Sequence, residues 1–226
     1  MKSAALSNET VDTKAKYNRN ARWYDLFEFI TEVLVYGYWR KELFKMMKGD
    51  KFLEIGVGTG KNLRYYSTDA HATAIDFSEG MLLYAKRRAA KMGQNVTLKN
   101  MDVQNLQFGA NSFPNILATF VFCSVLDPVR GMKEVRRVCI SNGRFVLLEH
   151  VRPKNTWLGK LFDRLNPIVV KRTGVNINRD TAENIRKAGF EIELERNLLG
   201  NVFKLFVARP VKLTRNMEDK ESEKNG

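Results

Sequence analysis

Lys51-Phe-Leu-Glu-Ile55 running into Gly56-Val-Gly58-Thr-Gly60 is the stretch that decides how this chain is read. The apolar run broken only by Glu54 predicts a buried strand, and Lys61 to Tyr66 predicts a helix opening directly behind the glycines. Alternating glycines at such a junction let the backbone bend sharply and approach a ligand closely. A dinucleotide fingerprint requires GxGxxG, but the third glycine, Gly60, arrives one residue early. A phosphate-binding P-loop requires GxxxxGK and then Ser or Thr; Ile55 stands at the first glycine position and Asn62 follows Lys61. Both phosphate readings are weakened.

Outward from this junction the pattern alternates. Ala72 to Asp76 predicts a second strand, Ser78 a cap for a helix over Glu79 to Met92, and Val96 to Asp102 a third strand. Ile116 to Cys123 and Gly143 to Glu149 predict strands four and five, with a helix over Val129 to Val138 between them. Such alternation implies parallel strands joined by right-handed crossovers, with ligands at the strands' carboxyl ends. The end of the chain breaks the rule. After a helix over Thr181 to Ala188, the runs Glu191 to Arg196 and Val202 to Ala208 flank Leu199-Gly200-Asn201 and predict an antiparallel hairpin. Ahead of the first strand, Tyr17 to Lys48 carries apolar residues at helical spacing and predicts two helices. The organisation expected is an N-terminal helical lid over 1–48, one α/β domain over 49–211 with a substrate- or membrane-facing insertion at 151–180, and a charged, disordered tail over 212–226.

Composition narrows the partners. With 226 residues, 44% hydrophobic and 28% charged, the chain sits in the globular range. Its net charge is +13, and the tail from Lys212 does not cause it, because four basic residues there balance four acidic ones. A basic folded body favours anionic partners such as lipid headgroups, nucleic acid or acidic metabolites, although a solvated basic surface is an equal reading. Cys123 and Cys139 form no CxxC pair, no His/Cys/Asp/Glu cluster has metal-ligand spacing, and no cleavable leader is legible at the polar start. A cytoplasmic, metal-free protein is expected. Leu26 to Trp39 is too short and too interrupted, by Glu28, Thr31 and Glu32, to span a bilayer.

Asp76 closes the second strand 22 residues after Glu54, where a carboxylate can accept hydrogen bonds from both ribose hydroxyls. Asp102 closes the third similarly, and Phe77 and Val103 beside them supply apolar walls for a base. The competing reading for each aspartate is a helix cap or a solvated loop acid.

On these residues the chain resembles the class I S-adenosylmethionine (SAM)-dependent methyltransferases, over about residues 17 to 209. The resemblance implies a Rossmann-like, mainly parallel sheet ending in an antiparallel hairpin strand. It further implies that Gly56, Gly58 and Gly60 form the loop beside the methionine part of SAM, that Asp76 holds the ribose and Asp102 the adenine end, and that Glu54 orients the loop and the SAM amino group. Two turns depart from the family's pattern: Pro114 follows Phe113 where Asp is usual, and Ser141-Asn142-Gly143 replaces Pro-Gly-Gly.

Tyr17-Asn-Arg-Asn-Ala-Arg-Trp23-Tyr24-Asp25, Leu148-Glu149-His150-Val-Arg-Pro153 and Asn176-Ile-Asn-Arg-Asp180 are similar to two branches: soluble bacterial phosphatidylethanolamine N-methyltransferases and ubiquinone/menaquinone biosynthesis methyltransferases. The resemblance implies methyl transfer to an amphiphile, a phospholipid amine first and a quinone ring carbon or a small soluble acceptor as alternatives. RNA methylation and a non-enzymatic SAM-binding role are weaker readings, since no RNA-binding module or Asn/Asp-Pro-Pro-Tyr/Phe motif is present. Trp157, Leu158, Leu161, Phe162 and Leu165 fall near one helical face with Lys160 and Arg164 beside them, which suits either a peripheral helix on anionic membrane or a cap over the substrate pocket. Tyr17, Trp23 and Tyr24 are candidate lid residues, and Cys123 a non-reacting wall of the substrate site. His150 is the candidate base, against the reading of a structural histidine; His71 reads as structural.

Overall fold

A computed structural model describes residues 35–211. The expected lid residues Tyr17, Trp23 and Tyr24 and the tail over 212–226 lie outside them.

The strands are β1 (Lys51–Ile55), β2 (His71–Asp76), β3 (Val96–Asn100), β4 (Phe113–Thr119), β5 (Cys139–His150), β6 (Phe190–Leu199) and β7 (Phe203–Pro210). They form one sheet in the order β3-β2-β1-β4-β5-β7-β6. β1 to β5 pair in parallel, whereas β7 runs antiparallel to both β5 and β6. The chain therefore builds outward from β1 to β3 and returns to lay β4 against the other side of β1. That reversal opens a crevice at the carboxyl ends of β1 and β4, the general ligand position in such sheets.

Five α-helices are described: α1 (Gly37–Lys45), α2 (Glu79–Met92), α3 (Pro128–Val138), α4 (Thr156–Thr173) and α5 (Thr181–Lys187). Side chains alternate across the sheet. Leu53, Ile55, Ile116, Phe145 and Leu147 face a core closed by Met132, Val135 and Ile185 of α3 and α5. Phe52, Leu117, Val146, Leu148 and Leu205 face the opposite core, closed by Trp39 and Leu43 of α1. Burial on both faces explains why the central strands read as continuous apolar runs.

Several boundaries differ from the sequence reading. Lys61–Tyr65 is a 3-10 helix rather than an α-helix, entered through Gly60 at φ 84°. β3 stops at Asn100, so Asp102 lies two residues beyond the strand. β4 begins at Phe113 and ends at Thr119, because the chain leaves the sheet at Phe120, whose φ is 58°. β5 starts four residues early, at Cys139, and β6 and β7 are both longer than expected. α4 runs through Pro167 to Thr173, far past Leu165.

The cap at Ser78 is as expected: its hydroxyl accepts the Met81 N–H at 3.1 Å and is fully buried. Replacing it with Ala strips α2 of that bond; Ser78→Ala is expected to lower the unfolding free energy by about 1 kcal/mol in urea titration. An unchanged midpoint would contradict the capping role.

Candidate functional site

The glycine loop after β1, the ends of β2 and β4 and the chain after β3 converge on one open cleft of about 810 Å³. Gly56, Gly58, Asp76, Phe77, Asp102 and Val103 all line it. Glu54, Gly60, Cys123 and His150 do not.

Asp76 is the centre of this arrangement. One carboxylate oxygen accepts the Gly58 N–H at 2.9 Å and the other the Ser78 N–H at 2.8 Å. Burial raises its pKa to about 6, against the pull of these backbone donors. The side chain thereby ties the β1 loop to the β2 loop while retaining acceptor capacity toward the cleft. Asp102 accepts the Gln104 N–H at 2.9 Å and meets the Gln104 side-chain amide at 3.1 Å, so its carboxylate is oriented by its own turn.

Glu54 lies beneath the loop. It is 1% exposed and accepts from Asn62 at 2.6 Å and from the Tyr66 hydroxyl. Desolvation lifts its pKa to about 7. Gly60 instead packs the loop onto α2: a Cβ there would meet Leu63 at 2.6 Å and the Ala85 backbone at 3.2 Å.

The β4 wall is built by residues that the sequence reading did not single out. Thr119, Phe120, Val121 and Ser124 line the cleft. A bulky residue with positive φ is a strained conformation of the kind that gathers at functional sites, and Phe120 is held in it by its N–H to Leu148 O at 2.8 Å. Glu149, fully buried at the end of β5, accepts the N–H groups of Val121 and Phe122, both at 2.9 Å, and burial raises its pKa to about 7. The signal available for it was a lone acid inside an apolar strand.

The loop's far side hangs on the segment after α4. Asn176 donates its backbone N–H to Cys123 O at 2.8 Å, and Arg179 reaches Val125 O at 2.9 Å. Asn176 also meets Asn166 of α4 at 3.2 Å, while Asp163 of α4 binds Arg152 at 2.8 Å and Asn178 at 3.1 Å. The polar residues of the two late motifs thus lace α4 to the cleft wall.

Cys123 sits inside this lacing, with burial pushing its thiol pKa far up. His150 faces the other core, its ring 4.2 Å from that of Phe203, with burial lowering its pKa to about 4.

The donor set selects its ligand class. Two aspartates line the cleft and, among the described residues, no Lys or Arg does. In a chain of charge +13 this is a local reversal of sign. A phosphate-bearing dinucleotide is poorly matched to it, whereas a nucleoside carrying positive charge fits. Among the described residues no group of three or more His, Cys, Asp or Glu is placed to hold a metal.

Residues 53–147 match the methyltransferase domain family. The phosphatidylethanolamine N-methyltransferase of Cereibacter sphaeroides is 37% identical over 105 residues, which span 46% of this chain and about half, 52%, of that protein. The demethylmenaquinone methyltransferase of Clavibacter sepedonicus is 26% identical over 91% of this chain and 93% of its own length. A SAM-dependent methyltransferase structure from Thermotoga maritima superposes with a TM-score of 0.65 at 21% identity, over 86% of this chain and 98% of that one. The match places a methyltransferase domain over residues 53–147, and the relatives and the fold support SAM as its cofactor.

Two glycines of the loop separate strain from space. A Cβ on Gly58, at φ 55°, would meet nothing within 4 Å, whereas one on Gly56, at φ 66°, would lie 2.5 Å from Val121 Cγ2. Gly58→Ala is expected to cost about 1–2 kcal/mol of stability from backbone strain alone. Gly56→Ala should cost more, since Val121 must also move; equal denaturation midpoints would contradict this packing.

Proposed function

We propose that this SAM-dependent methyltransferase methylates the amine of a phospholipid of the phosphatidylethanolamine type, working at an anionic membrane surface. In this reading Asp76 receives the ribose hydroxyls, Phe77 and Val103 flank the adenine, Asp102 accepts from its amino group, and Gly56 and Gly58 border the methionine part. Glu54 supports the loop from below and adds negative charge for the amino group.

The observation that carries the membrane part is the outer face of α4. Trp157 is 72% exposed, Ile168 55%, Leu165 41% and Leu161 37%, and these four fall on one side of the helix. Leu158 and Phe162, expected on the same face, turn inward and are half-buried. Lys160, Arg164, Lys171 and Arg172 flank the apolar stripe, and all four are exposed. An apolar stripe rimmed by cations suits a helix lying in the headgroup region of anionic lipid. No helix among the described residues is long and apolar enough to cross a membrane. The name of the Cereibacter relative supports the phospholipid acceptor, and that of the Clavibacter relative supports the second reading, a quinone ring.

The chemistry favours nitrogen. SAM supplies an electrophilic methyl group on a sulfonium. Among the described residues lining the cleft, none is His, Lys, Tyr or Cys. His150, with its pKa near 4, is a weak base for an ammonium or a phenol. These residues align the acceptor, exclude water and leave proton removal to solvent, which suffices for an amine that arrives unprotonated but not for a ring carbon.

Labelled methyl from SAM is expected in phosphatidylethanolamine of mixed vesicles rather than in a demethylated quinone; label confined to the quinone would overturn the acceptor. Changing Lys160, Arg164, Lys171 and Arg172 together to Gln should weaken binding to anionic vesicles at least tenfold, each cation contributing about 1 kcal/mol at such a surface. Equal binding by the variant would remove the membrane face.

The pKa of Asp76 fixes a pH dependence. Its protonated form has lost the charge and turned one acceptor site into a donor, so SAM affinity should fall about tenfold per pH unit below about pH 6. Asp76→Asn should bind SAM weakly at every pH; wild-type affinity in that variant would overturn the cleft assignment.

A further inference from the structure

Arg40 lies on α1, ahead of the sheet, and is 5% exposed between Trp39 and Leu43. A buried guanidinium costs several kcal/mol unless it is well hydrogen-bonded and its charge is balanced. Here it is. Nη1 donates to Asn62 Oδ1 and to Thr119 Oγ1, each at 2.9 Å, and the guanidinium stands over the Phe120 ring at 5.6 Å. Asn62 passes the connection on, its amide donating to Glu54 at 2.6 Å and to Thr119 at 3.0 Å. One cation thus touches Thr119 and Phe120, two of the residues that form the β4 wall of the cleft, and, through Asn62, the carboxylate just before the glycine loop.

Two consequences follow from this arrangement. Thr119 Oγ1 accepts two N–H donors, which fills both its lone pairs and leaves its hydroxyl only the role of donor. Thr119 lines the cleft, where carboxylate oxygens of an amino-acid ligand would be suitable acceptors. The second consequence is electrostatic. The charged and titratable groups acting on Glu54 are Tyr66, Arg40 and Asp76; Arg40 favours its ionised form and Asp76 opposes it.

We propose that Arg40 is a positioning residue for the cofactor, which fixes the Thr119 hydroxyl and the Asn62–Glu54 pair and so makes α1 part of the SAM site. The proposal rests on the assignment of the cleft to SAM.

The test is calorimetric titration of the full chain with SAM, and with S-adenosylhomocysteine, over pH 6 to 9. Wild type is compared with Arg40→Met, Arg40→Lys and the double variant Arg40→Met/Thr119→Val, with circular dichroism to establish folding. Arg40→Met should bind SAM about tenfold more weakly at pH 7, the scale of a lost hydrogen bond to a charged group. The affinity-against-pH curve then carries an inflection near pH 7 set by Glu54, above the one that Asp76 sets near pH 6, and the Glu54 midpoint should move upward because Glu54 loses its neighbouring cation. S-adenosylhomocysteine should lose affinity by a similar factor, because the lost hydrogen bonds act on the amino-acid end that both ligands share. Removing the Thr119 acceptor together with its Arg40 donor leaves Asn62 as the one side chain of the group short of partners, and keeps the measurement available where the single variant unfolds. The Lys variant, which keeps the charge but not the planar fork, should retain the wild-type pH midpoint with several-fold weaker binding.

Wild-type SAM affinity and an unmoved pH midpoint in any folded variant lacking the positive charge at this position would overturn the proposal. If Asp76→Asn abolishes SAM binding in the same assay, that outcome removes only the role of Arg40. Normal binding by Asp76→Asn as well would remove the cleft assignment beneath it.

Discussion

Asp76 holds two loops with one carboxylate: Gly58 N–H on one oxygen and Ser78 N–H on the other. Everything at the cleft depends on that clasp. It sets the height of the glycine loop against the end of β2, and it places an acceptor at the crevice where β4 returns beside β1. A carboxylate taken out of water to this extent is costly unless backbone donors compensate it. The compensation is partial, and the raised pKa of Asp76 records the remainder. The site therefore holds unspent affinity for a ligand that brings hydroxyl donors and positive charge.

The same economy recurs around the cleft. Glu54, Glu149 and Arg40 are each buried, and each holds a loop or strand end through hydrogen bonds. Glu149 fixes the turn that begins at the strained Phe120, while Asn176 and Arg179 hold its far side. Through Asn166 and Asp163 that lacing reaches α4, so the helix with the exposed apolar stripe and the wall of the cleft belong to one polar network.

Much of this was legible in the chain itself. β1 falls at the residues expected, and so does α2 with its Ser78 cap, because the local signals of apolar run, glycine and cap agree with the tertiary packing. The ends of β3 and β4 were misplaced. Apolar residues continue past both strands, into Val103 and through Phe122, yet they fill the core beside the cleft from irregular backbone rather than from the sheet. Periodicity reports burial and cannot tell those cases apart. For α4 the apolar spacing was visible, but its division into an inward and an outward side depends on what packs beneath it. Arg40, Asn62 and Thr119 were missed for a different reason. They come from three separate segments, and only the fold brings them together.

All the binding roles above require SAM in the cleft at the ends of β1, β2 and β4. A crystal structure of the protein with S-adenosylhomocysteine tests it most directly. Density for the ligand is expected in that cleft, with both ribose hydroxyls within hydrogen-bond distance of the Asp76 carboxylate and the base between Phe77 and Val103. Ligand density at any other place on the molecule, or a ribose turned away from Asp76, would contradict it.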